Sequence, residues 1–341
     1  MKFSTLFLFV TLFSFSKSSI SQQHPSHHFY LSDSQPFISE FLAASIKTGN
    51  NEQRDWIEIY NPSESIVSLS GWSLSDDSDN PEKWIFPELS LSPGDSLLIY
   101  CTGKDLSTDF KNLHSNFKLN PKGEFLGLFD SNKRAISFFD EKYPRQYNGI
   151  TYGYDLNTRT EGYFTKPTPG HENGISLKSR LDAPVLNHKR GFYDSPFTIN
   201  YESYPIEGVQ VRYTTNGENP GKLTGKLFED NLYVIKSNVI KFVALKEGYL
   251  PSKEVTHSYF FSRDIVKQSL LNKKVTYDPS YRDQLLESFE SLPSLSLVLN
   301  SKDMFRGSNA IYANPWKMGF NWEKPVSFEV LERNGAGIQI N

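Results

Sequence analysis

Cysteine is almost absent from this chain of 341 residues, in which Cys101 is the single example. One thiol cannot close an intrachain disulfide, so a disulfide framework is excluded. Cys101 ends the apolar run Leu97-Leu-Ile-Tyr-Cys, and this setting predicts a buried thiol that packs as a small hydrophobe, with a reactive thiol as the alternative. Usable glycosylation sequons are missing too, because Asn61-Pro62-Ser63 carries the proline that forbids modification.

An excess of charge of one sign is also missing. The 36 Lys and Arg residues nearly balance the 39 Asp and Glu residues, which gives a formal net charge of -3. The chain therefore lacks the overall positive charge that would indicate nucleic acid as a partner. Aromatic residues, by contrast, are plentiful at 14%, as is typical of β-rich proteins. The length of the chain allows two or three domains.

The N-terminus has the pattern of a secretory signal. Lys2 precedes the apolar run Phe3–Phe15, which is too short to span a bilayer, and Ser19-Ile20-Ser21 offers a small-x-small cleavage site. We predict a signal peptide at residues 1–21, with an uncleaved anchor as the alternative, and no other membrane span. The protein is then secreted or held at the cell surface, or periplasmic. Export without disulfides or sequons favours a bacterial protein.

Residues 22–35 are polar and contain His24, His27 and His28. They have no apolar pattern around which to fold, which predicts a disordered leader. Metal binding by the three histidines is the alternative, since imidazole is a common metal ligand.

The clearest strand pattern lies in the stretch Arg54–Asp76. Large side chains alternate with isoleucines in Trp56-Ile-Glu-Ile-Tyr, as in a β-strand with two different faces. Pro62 breaks this strand, and a second alternating run begins at Val67. That run slips by one residue at Gly71, where we expect a bulge or a tight bend. We interpret the whole stretch as a β-hairpin.

The chain around this stretch resembles the lamin-tail domain, an immunoglobulin-like β-sandwich that recurs in secreted bacterial proteins. The matching pieces keep the order and spacing of the family: Phe37-Ile-Ser-Glu-Phe, Asp55-Trp-Ile-Glu-Ile-Tyr-Asn, Leu69-Ser-Gly-Trp-Ser-Leu-Ser-Asp, Trp84-Ile-Phe-Pro, Leu91-Ser-Pro-Gly-Asp and Thr165-Lys-Pro-Thr-Pro-Gly-His. The resemblance implies a sandwich over residues 36–173. It implies no particular function, since a sandwich hosts many functions.

Two loops of this first region are rich in turn residues. Asp76, Asp77 and Asp79 lie together in one loop, and clustered carboxylates can bind Ca²⁺. Their spacing does not match an EF-hand, so ordinary turn chemistry is the alternative. The other loop, Lys166–Gly174, is rich in Pro and Gly, and we interpret it as a linker of limited flexibility to the next domain.

Residues 181–262 carry further alternating apolar runs, which predict a second β unit. They resemble the C-terminal domain of chitobiases and β-hexosaminidases, an Fn3-associated module. The matching residues are Val211-Arg-Tyr-Thr-Thr-Asn-Gly-Glu-Asn-Pro, Ile240-Lys-Phe-Val-Ala-Leu-Lys-Glu-Gly-Tyr-Leu-Pro-Ser and Tyr259. The resemblance implies a smaller fibronectin-III-like sandwich that accompanies a catalytic domain without catalysing. Exposed tyrosines could stack on sugars, with sheet packing as the alternative.

Residues 278–341 change character. Asp278-Pro279-Ser280 predicts the start of a helix, which Pro293 ends. Apolar residues follow that start at helical spacing, and we interpret them as a core face, with a partner surface as the alternative: Tyr281, Leu285, Phe289 and Leu292. Strands are then predicted from Leu295, Pro325 and Gly337, and together with the helix they predict an incomplete α+β region.

This last region resembles the start of a CotH-type kinase domain. The matching residues are Leu292-Pro-Ser-Leu-Ser-Leu-Val-Leu-Asn-Ser-Lys-Asp-Met-Phe, Gly307-Ser-Asn-Ala-Ile-Tyr-Ala-Asn-Pro, Trp322-Glu-Lys-Pro-Val-Ser-Phe-Glu-Val-Leu and Gly337-Ile-Gln-Ile-Asn. The resemblance implies an atypical kinase fold whose sites for ATP and a divalent metal would follow Asn341, so we interpret the chain as the front part of a longer protein. Val243-Ala-Leu-Lys246 has the letters of a kinase strand, but no glycine-rich loop precedes it.

The sequence predicts no catalytic, cofactor-binding or metal-binding residue. We predict non-catalytic extracellular modules that bind a protein or a glycan and position a downstream domain. One alternative is the N-terminal part of a secreted CotH-like kinase. Another is the accessory glycan-binding region of a secreted hydrolase, and glycan cleavage itself would need a pair of acids at a cleft. Glu58 and Glu124 are candidates for that pair only because they are present.

Overall fold

The structure is a computed structural model, and it describes residues 34–48, 51–52, 54–139, 141–229, 231–268, 271–319, 322–332 and 337–340. The predicted signal peptide at residues 1–21 lies outside these residues, as do His24, His27 and His28 of the predicted leader. The described chain is mainly β, as predicted, and its strands and helices fall into three successive regions.

The first region is a sandwich of two β-sheets. Its strands are short and follow one another closely: β1 (Phe37–Leu42), β2 (Lys47–Thr48), β3 (Asn51–Glu52), β4 (Trp56–Tyr60), β5 (Val67–Ser68), β6 (Ser73–Ser75), β7 (Trp84–Ile85), β8 (Ser90–Leu91), β9 (Ser96–Tyr100), β10 (Leu113–His114), β11 (Leu126–Phe129), β12 (Ala135–Phe139), β13 (Thr151–Asp155) and β14 (Thr160–Phe164). The larger sheet has the order β10-β9-β4-β1-β13-β14, and the smaller has the order β12-β11-β6-β7. Two short pairs, β2-β3 and β5-β8, lie outside these sheets.

The core of the sandwich is filled from the inner faces of both sheets. The larger sheet contributes Ile57 and Ile59 of β4, and the smaller sheet contributes Leu74 and Leu128, all fully buried. Burial of each such side chain stabilises the fold by about 1.5–3 kcal/mol. Because neighbouring residues of a strand point to opposite faces, Glu58 of β4 points to the outer face of the larger sheet.

The stretch Arg54–Asp76 is not a β-hairpin, so that prediction is wrong. β4 pairs with β1 and β9, whereas β6 pairs with β7 and β11 in the other sheet. The chain crosses between the sheets at Gly71, whose φ of 75° lies in the left-handed region that glycine tolerates. The tight bend expected there is present, but it separates the two sheets instead of joining paired strands.

Over its described residues, the second region has nine strands: β15 (Lys178–Arg180), β16 (Gly191–Phe192), β17 (Phe197–Ile199), β18 (Gln210–Thr214), β19 (Lys226–Leu227), β20 (Leu232–Val234), β21 (Asn238–Leu245), β22 (Tyr249–Leu250) and β23 (Val255–Phe260). The main sheet has the order β16-β23-β21-β18-β19, and β17 pairs with β20. Its core is a separate cluster that includes Val211, Phe242 and Tyr259.

The first two regions are joined by packed contacts. β15 pairs in parallel with β22, and Leu250 of β22 belongs to the core of the first sandwich. The guanidinium carbon of Arg180 lies 4.1 Å from the centre of the Tyr147 ring. These contacts fix the second region to the first through apolar burial and a cation–π interaction.

The third region is α+β over the residues described: α1 (Ser262–Ile265), α2 (Lys273–Tyr277), α3 (Pro279–Ser291), β24 (Ser294–Val298), α4 (Ser301–Met304), β25 (Ser327–Leu331) and β26 (Gly337–Ile340). β24, β25 and β26 form an antiparallel sheet in that order. No helix among the described residues is long and apolar enough to cross a membrane.

The helix α3 begins where the sequence predicts. The Asp278 carboxylate accepts a hydrogen bond from the amide of Ser280 at 3.0 Å, which caps the helix. The interpretation of its apolar stripe as a core face is wrong at both ends, because Tyr281 is 53% and Leu292 is 64% exposed. Phe289, nearer the middle, is half-buried, and its ring lies 6.0 Å from that of Phe192.

Candidate functional site

Two carboxylates meet on the outer face of the larger sheet in the first sandwich. Glu40 of β1 lies directly opposite Glu58 of β4. The pairing of these strands contains a bulge between Ile38 and Glu40, with Ser39 as the extra residue. The bulge resets the alternation of β1, so that Ile38 and Phe41 both enter the core while Glu40 shares the outer face with Glu58.

Residues 166–174 fold over this carboxylate pair. Glu40 accepts hydrogen bonds from the amide of Thr168 at 3.1 Å, from the Thr168 hydroxyl at 3.0 Å and from the Thr151 hydroxyl. The Thr168 hydroxyl also lies 2.9 Å from the side-chain oxygen of Asn173. The Glu40 carboxylate therefore ties the covering segment to the sheet through the amide and the hydroxyl of Thr168, while Thr151 of β13 donates to it from within the sheet.

Glu58 holds the next residues of the segment. Its Oε2 accepts a hydrogen bond from the amide of Gly170 at 2.5 Å, and its Oε1 accepts one from the Ser39 hydroxyl at 2.6 Å. The Asn173 amide group then donates to the carbonyls of Ser39 and Tyr154. The segment that we interpreted as a linker is thus a covering layer of the sandwich.

Both carboxylates are buried, Glu40 completely and Glu58 with 1% of its surface exposed. The two accept hydrogen bonds from neutral groups, and neither forms an ion pair with a described lysine or arginine. Burial raises the pKa of each carboxyl, and the hydrogen bonds from the covering segment and its neighbours oppose that rise. The pKa of Glu40 is raised further by the negative charge of Glu58.

A cleft of about 380 Å³ lies between the sheet and the covering segment. Its most buried charged residue is Glu58, and Tyr60 and Tyr154 stand at its sides. The ring of Phe37 contacts both tyrosines edge-on, at centroid distances of 5.8 and 5.9 Å. His171 and Glu172 of the covering segment also line the cleft, and both are exposed. Such a cleft can hold a small polar group between aromatic rings and a buried charge.

The structure does not bring the two predicted acids together. Glu58 lines this cleft, whereas Glu124 precedes β11 of the smaller sheet and is not among the cleft residues. The Glu124 carboxylate instead accepts hydrogen bonds from the Asn120 amide at 2.8 Å and from the Tyr143 hydroxyl at 3.2 Å. Its role in these contacts is to hold a turn.

The acidic loop shows ordinary turn contacts. Asp76 forms an ion pair with Lys83 at 2.5 Å, and the Asp77 carboxylate accepts the amide of Asp79 at 3.0 Å. Over the parts of the chain that the structure describes, no group of three or more His, Cys, Asp and Glu residues could hold a metal ion. Calcium binding by Asp76, Asp77 and Asp79 stays an alternative.

Two other residues named from the sequence are placed clearly. Cys101 is buried, as predicted, and burial raises the pKa of its thiol, which disfavours the reactive thiolate. Lys246 follows β21, where its ammonium group donates to the carbonyl of Glu207 and lies 5.8 Å from the centre of the Tyr249 ring.

Sequence reasoning missed Glu40 and the donors of the covering segment. One sign of the bulge was present, because Ile38 and Phe41 are three residues apart and cannot share a face of a regular strand. The sequence holds no comparable sign that Thr168 and Gly170 bond to carboxylates more than 100 residues earlier.

Comparison with known families supports the first region alone. Residues 32–142 match the family model of the Lamin Tail Domain, whose fold is an immunoglobulin-like β-sandwich, so the lamin-tail resemblance and the fold class are confirmed. β13, β14 and the covering segment lie beyond the matched residues, although they complete the larger sheet and the cleft. No curated protein matches the chain. The chitobiase-type and CotH-type resemblances stay predictions.

Proposed function

We propose that this chain is a non-catalytic extracellular binding and scaffold protein, and that its first sandwich receives a partner protein or glycan in the Glu58 cleft. The observation that carries the proposal is a cleft between the sheet and the covering segment, which the Glu40 and Glu58 carboxylates tie to the sheet. A wall held in this way loses little conformational freedom when a ligand binds, which favours affinity. Secretion follows from the predicted signal peptide.

The hydrogen bonds of Glu58 argue for binding and against catalysis. Both of its oxygens are already engaged, one with Ser39 and the other with Gly170. A general base gains a proton during the reaction, and a protonated Glu58 would accept both of these hydrogen bonds less strongly. That change would loosen Gly170 from the wall of the cleft.

The scaffold part of the proposal rests on the contacts between the first two regions. β15 pairs with β22, and Leu250 is buried in the first core, so the second region is held against the first over several residues. Packed neighbours of this kind suit a protein that sets the position of whatever it carries. ATP and a divalent metal enter this account only if a kinase-type domain follows in a longer product.

The test uses purified residues 22–341. We expect no ATP turnover and no phosphate transfer to exported proteins, in the presence of Mg²⁺ or Mn²⁺. Measurable phosphorylation by this chain would contradict the proposal. Retention on insoluble chitin or cellulose, lost when the cleft is altered, would identify the partner as a glycan. Retention that persists in a cleft variant would locate glycan binding elsewhere and remove the cleft from the proposal.

A further inference from the structure

We infer that the Glu58 cleft selects a cationic group, namely a protonated amine or guanidinium such as a lysine or arginine side chain presented by the partner. The inference rests on the proposed function and specifies its ligand. Three features of the cleft lead to it: a buried carboxylate with neither lysine nor arginine in the lining, a pair of aromatic rings and a second carboxylate in the lining.

The buried charge comes first. The hydrogen-bond donors of Glu58 are the neutral groups of Ser39 and Gly170, and the Ser96 hydroxyl also stabilises its ionised form. The lining of the cleft contains neither lysine nor arginine. Hydrogen bonds from neutral donors stabilise a carboxylate but leave its net charge in place, so a cation that enters meets an unneutralised partner.

The aromatic rings come second. Tyr60 and Tyr154 both border the cleft, and Phe37 contacts each of them edge-on, which holds the two rings in place. An ammonium or guanidinium group is attracted to the face of an aromatic ring, and more strongly where water is excluded. The alkyl stem of a lysine or arginine also packs against the rings while its charged head reaches the carboxylate.

The mouth of the cleft adds a second negative charge. Glu172 is exposed on the covering segment and lines the same cleft as Glu58. His171 stands beside it, and a positive charge on this histidine favours the ionised form of Glu58. An anionic ligand would meet two carboxylates here, and a neutral sugar would leave the charge of Glu58 without a counterion. A cation is attracted by both carboxylates.

Proton linkage provides a further consequence. Burial holds the pKa of Glu58 above its ordinary value, and a bound cation favours the ionised carboxylate. Binding should therefore strengthen as the pH rises through the pKa of Glu58. A variant with a neutral residue at this position should lose the part of that dependence that Glu58 supplies, while the nearby Glu40, His171 and Glu172 are unchanged.

The experiment titrates residues 22–341 with three probes and follows the amide signals of Ser96 and Gly170 by NMR. The probes are an acetylated Gly-Lys-Gly amide, its norleucine counterpart, which lacks only the amine, and n-butylammonium. We expect the lysine peptide to bind and the norleucine peptide to bind at least about tenfold more weakly. If butylammonium binds as tightly as the lysine peptide, the cleft recognises the amine alone. If it binds more weakly, the cleft also contacts the peptide backbone.

Variants separate the cleft from the rest of the surface. Glu58→Gln should weaken the lysine peptide by about tenfold or more, and Glu172→Gln by about threefold. Glu64→Gln changes an exposed glutamate outside the cleft and is the matched control, with unchanged binding expected. Because Glu172 is exposed, its variant keeps the test valid if Glu58→Gln fails to fold.

Equal binding of the lysine and norleucine peptides, or unchanged binding in both cleft variants, would overturn the inference. A glycan that shifts Ser96 and Gly170 while the lysine peptide does not would also overturn it, but would leave the proposed function standing. If neither a glycan, a peptide nor an amine perturbs these residues, the binding role of the cleft fails together with its specificity.

Discussion

His257 lies on β23 in the second region, and its Nδ1 is 2.9 Å from the Tyr259 hydroxyl and 3.2 Å from the carbonyl of His188. Burial, followed by the nearby charge of Arg190, lowers the pKa of this histidine from 6.5 to about 4. Below pH 6.5 the unfolded chain binds a proton that the folded chain does not, so stability falls as the pH falls from 6.5 towards 4.

We predict that lowering the pH from 7 to 5 lowers the free energy of unfolding by about 2 kcal/mol through His257 alone. Urea unfolding at both pH values, in the natural chain and in His257→Gln, measures it. The natural chain should lose more stability than the variant over this interval. Parallel losses in the two proteins would show that His257 is not the group responsible.

Gly153 shows how closely the bulge brings two strands together. A Cβ atom on Gly153 would lie 2.1 Å from the carbonyl oxygen of Ser39, which is backbone and cannot move aside cheaply. We predict that Gly153→Ala destabilises the first sandwich by about 2–4 kcal/mol. Gly174→Ala is the control, because nothing lies within 4 Å of its added Cβ and its φ is not in the left-handed region. Equal unfolding midpoints in urea for the two variants would refute this reading.

The residues that sequence alone identified are those whose role depends on near neighbours. Cys101 follows an apolar run, and Asp278 precedes a proline at a helix start, so both were predicted correctly from a few adjacent residues. Glu40 was missed because its position depends on a bulge, which inserts one residue and exchanges the faces of the strand beyond it.

At the scale of elements, the covering segment 166–174 differs most from its sequence interpretation. Pro and Gly content predicted a linker, because composition reports what a backbone permits but not which partners its amide groups find. In the structure the segment donates to Glu40 and Glu58 and contributes one wall of the cleft. A Pro/Gly-rich stretch can therefore be an ordered layer when buried acceptors lie beneath it.

Thr168 tests the attachment of this segment. We predict that Thr168→Val, which removes the hydroxyl donor to Glu40, lowers the unfolding free energy by about 1–2 kcal/mol, since a buried charged acceptor loses a partner. Thr165→Val is the matched control, because Thr165 is exposed at the start of the same stretch and should change stability little. Urea unfolding followed by circular dichroism gives both values. A loss as large for Thr165→Val would remove the special role of Thr168.

The sheet of β24, β25 and β26 shows what period-2 alternation leaves open at this scale. Its polar positions Ser296 and Glu329 are buried, whereas Leu295 and Leu297 are more than 60% exposed. Period-2 alternation correctly indicated strands, but the usual assignment of the apolar face to the interior did not apply. The buried face also carries Val298 and Leu331, and its polar residues meet polar groups of β23.

At the scale of the whole molecule, this polar contact joins the second and third regions. The Glu329 carboxylate accepts hydrogen bonds from the amide and the hydroxyl of Ser258, and lies 3.4 Å from the Arg190 guanidinium. The hydroxyls of Ser258 and Ser296 are 2.7 Å apart. Since Glu329 has no exposed surface, its charge depends on these partners.

We predict that Arg190→Met destabilises the third region by about 3–5 kcal/mol, because it leaves Glu329 buried without its cation. The added change Glu329→Gln should recover part of that loss by removing the charge. Lys189→Met, at an exposed neighbouring position, is the control and should have little effect. Limited proteolysis in the third region, together with urea unfolding, measures the change. If proteolysis of Arg190→Met is no faster than that of the control, the ion pair between Arg190 and Glu329 does not hold the third region against the second.

The central claim is that the covering segment forms a fixed wall of a binding cleft, and amide hydrogen exchange tests it most directly. The amides of Thr168 and Gly170 donate to buried carboxylates, so they should exchange at least about 100-fold more slowly than the amide of Glu172, an exposed residue of the same segment. Glu58→Gln should release Gly170 before Thr168. Exchange of all three amides at the rate of an unfolded chain would contradict this claim, because the covering segment would then not be fixed against the sheet.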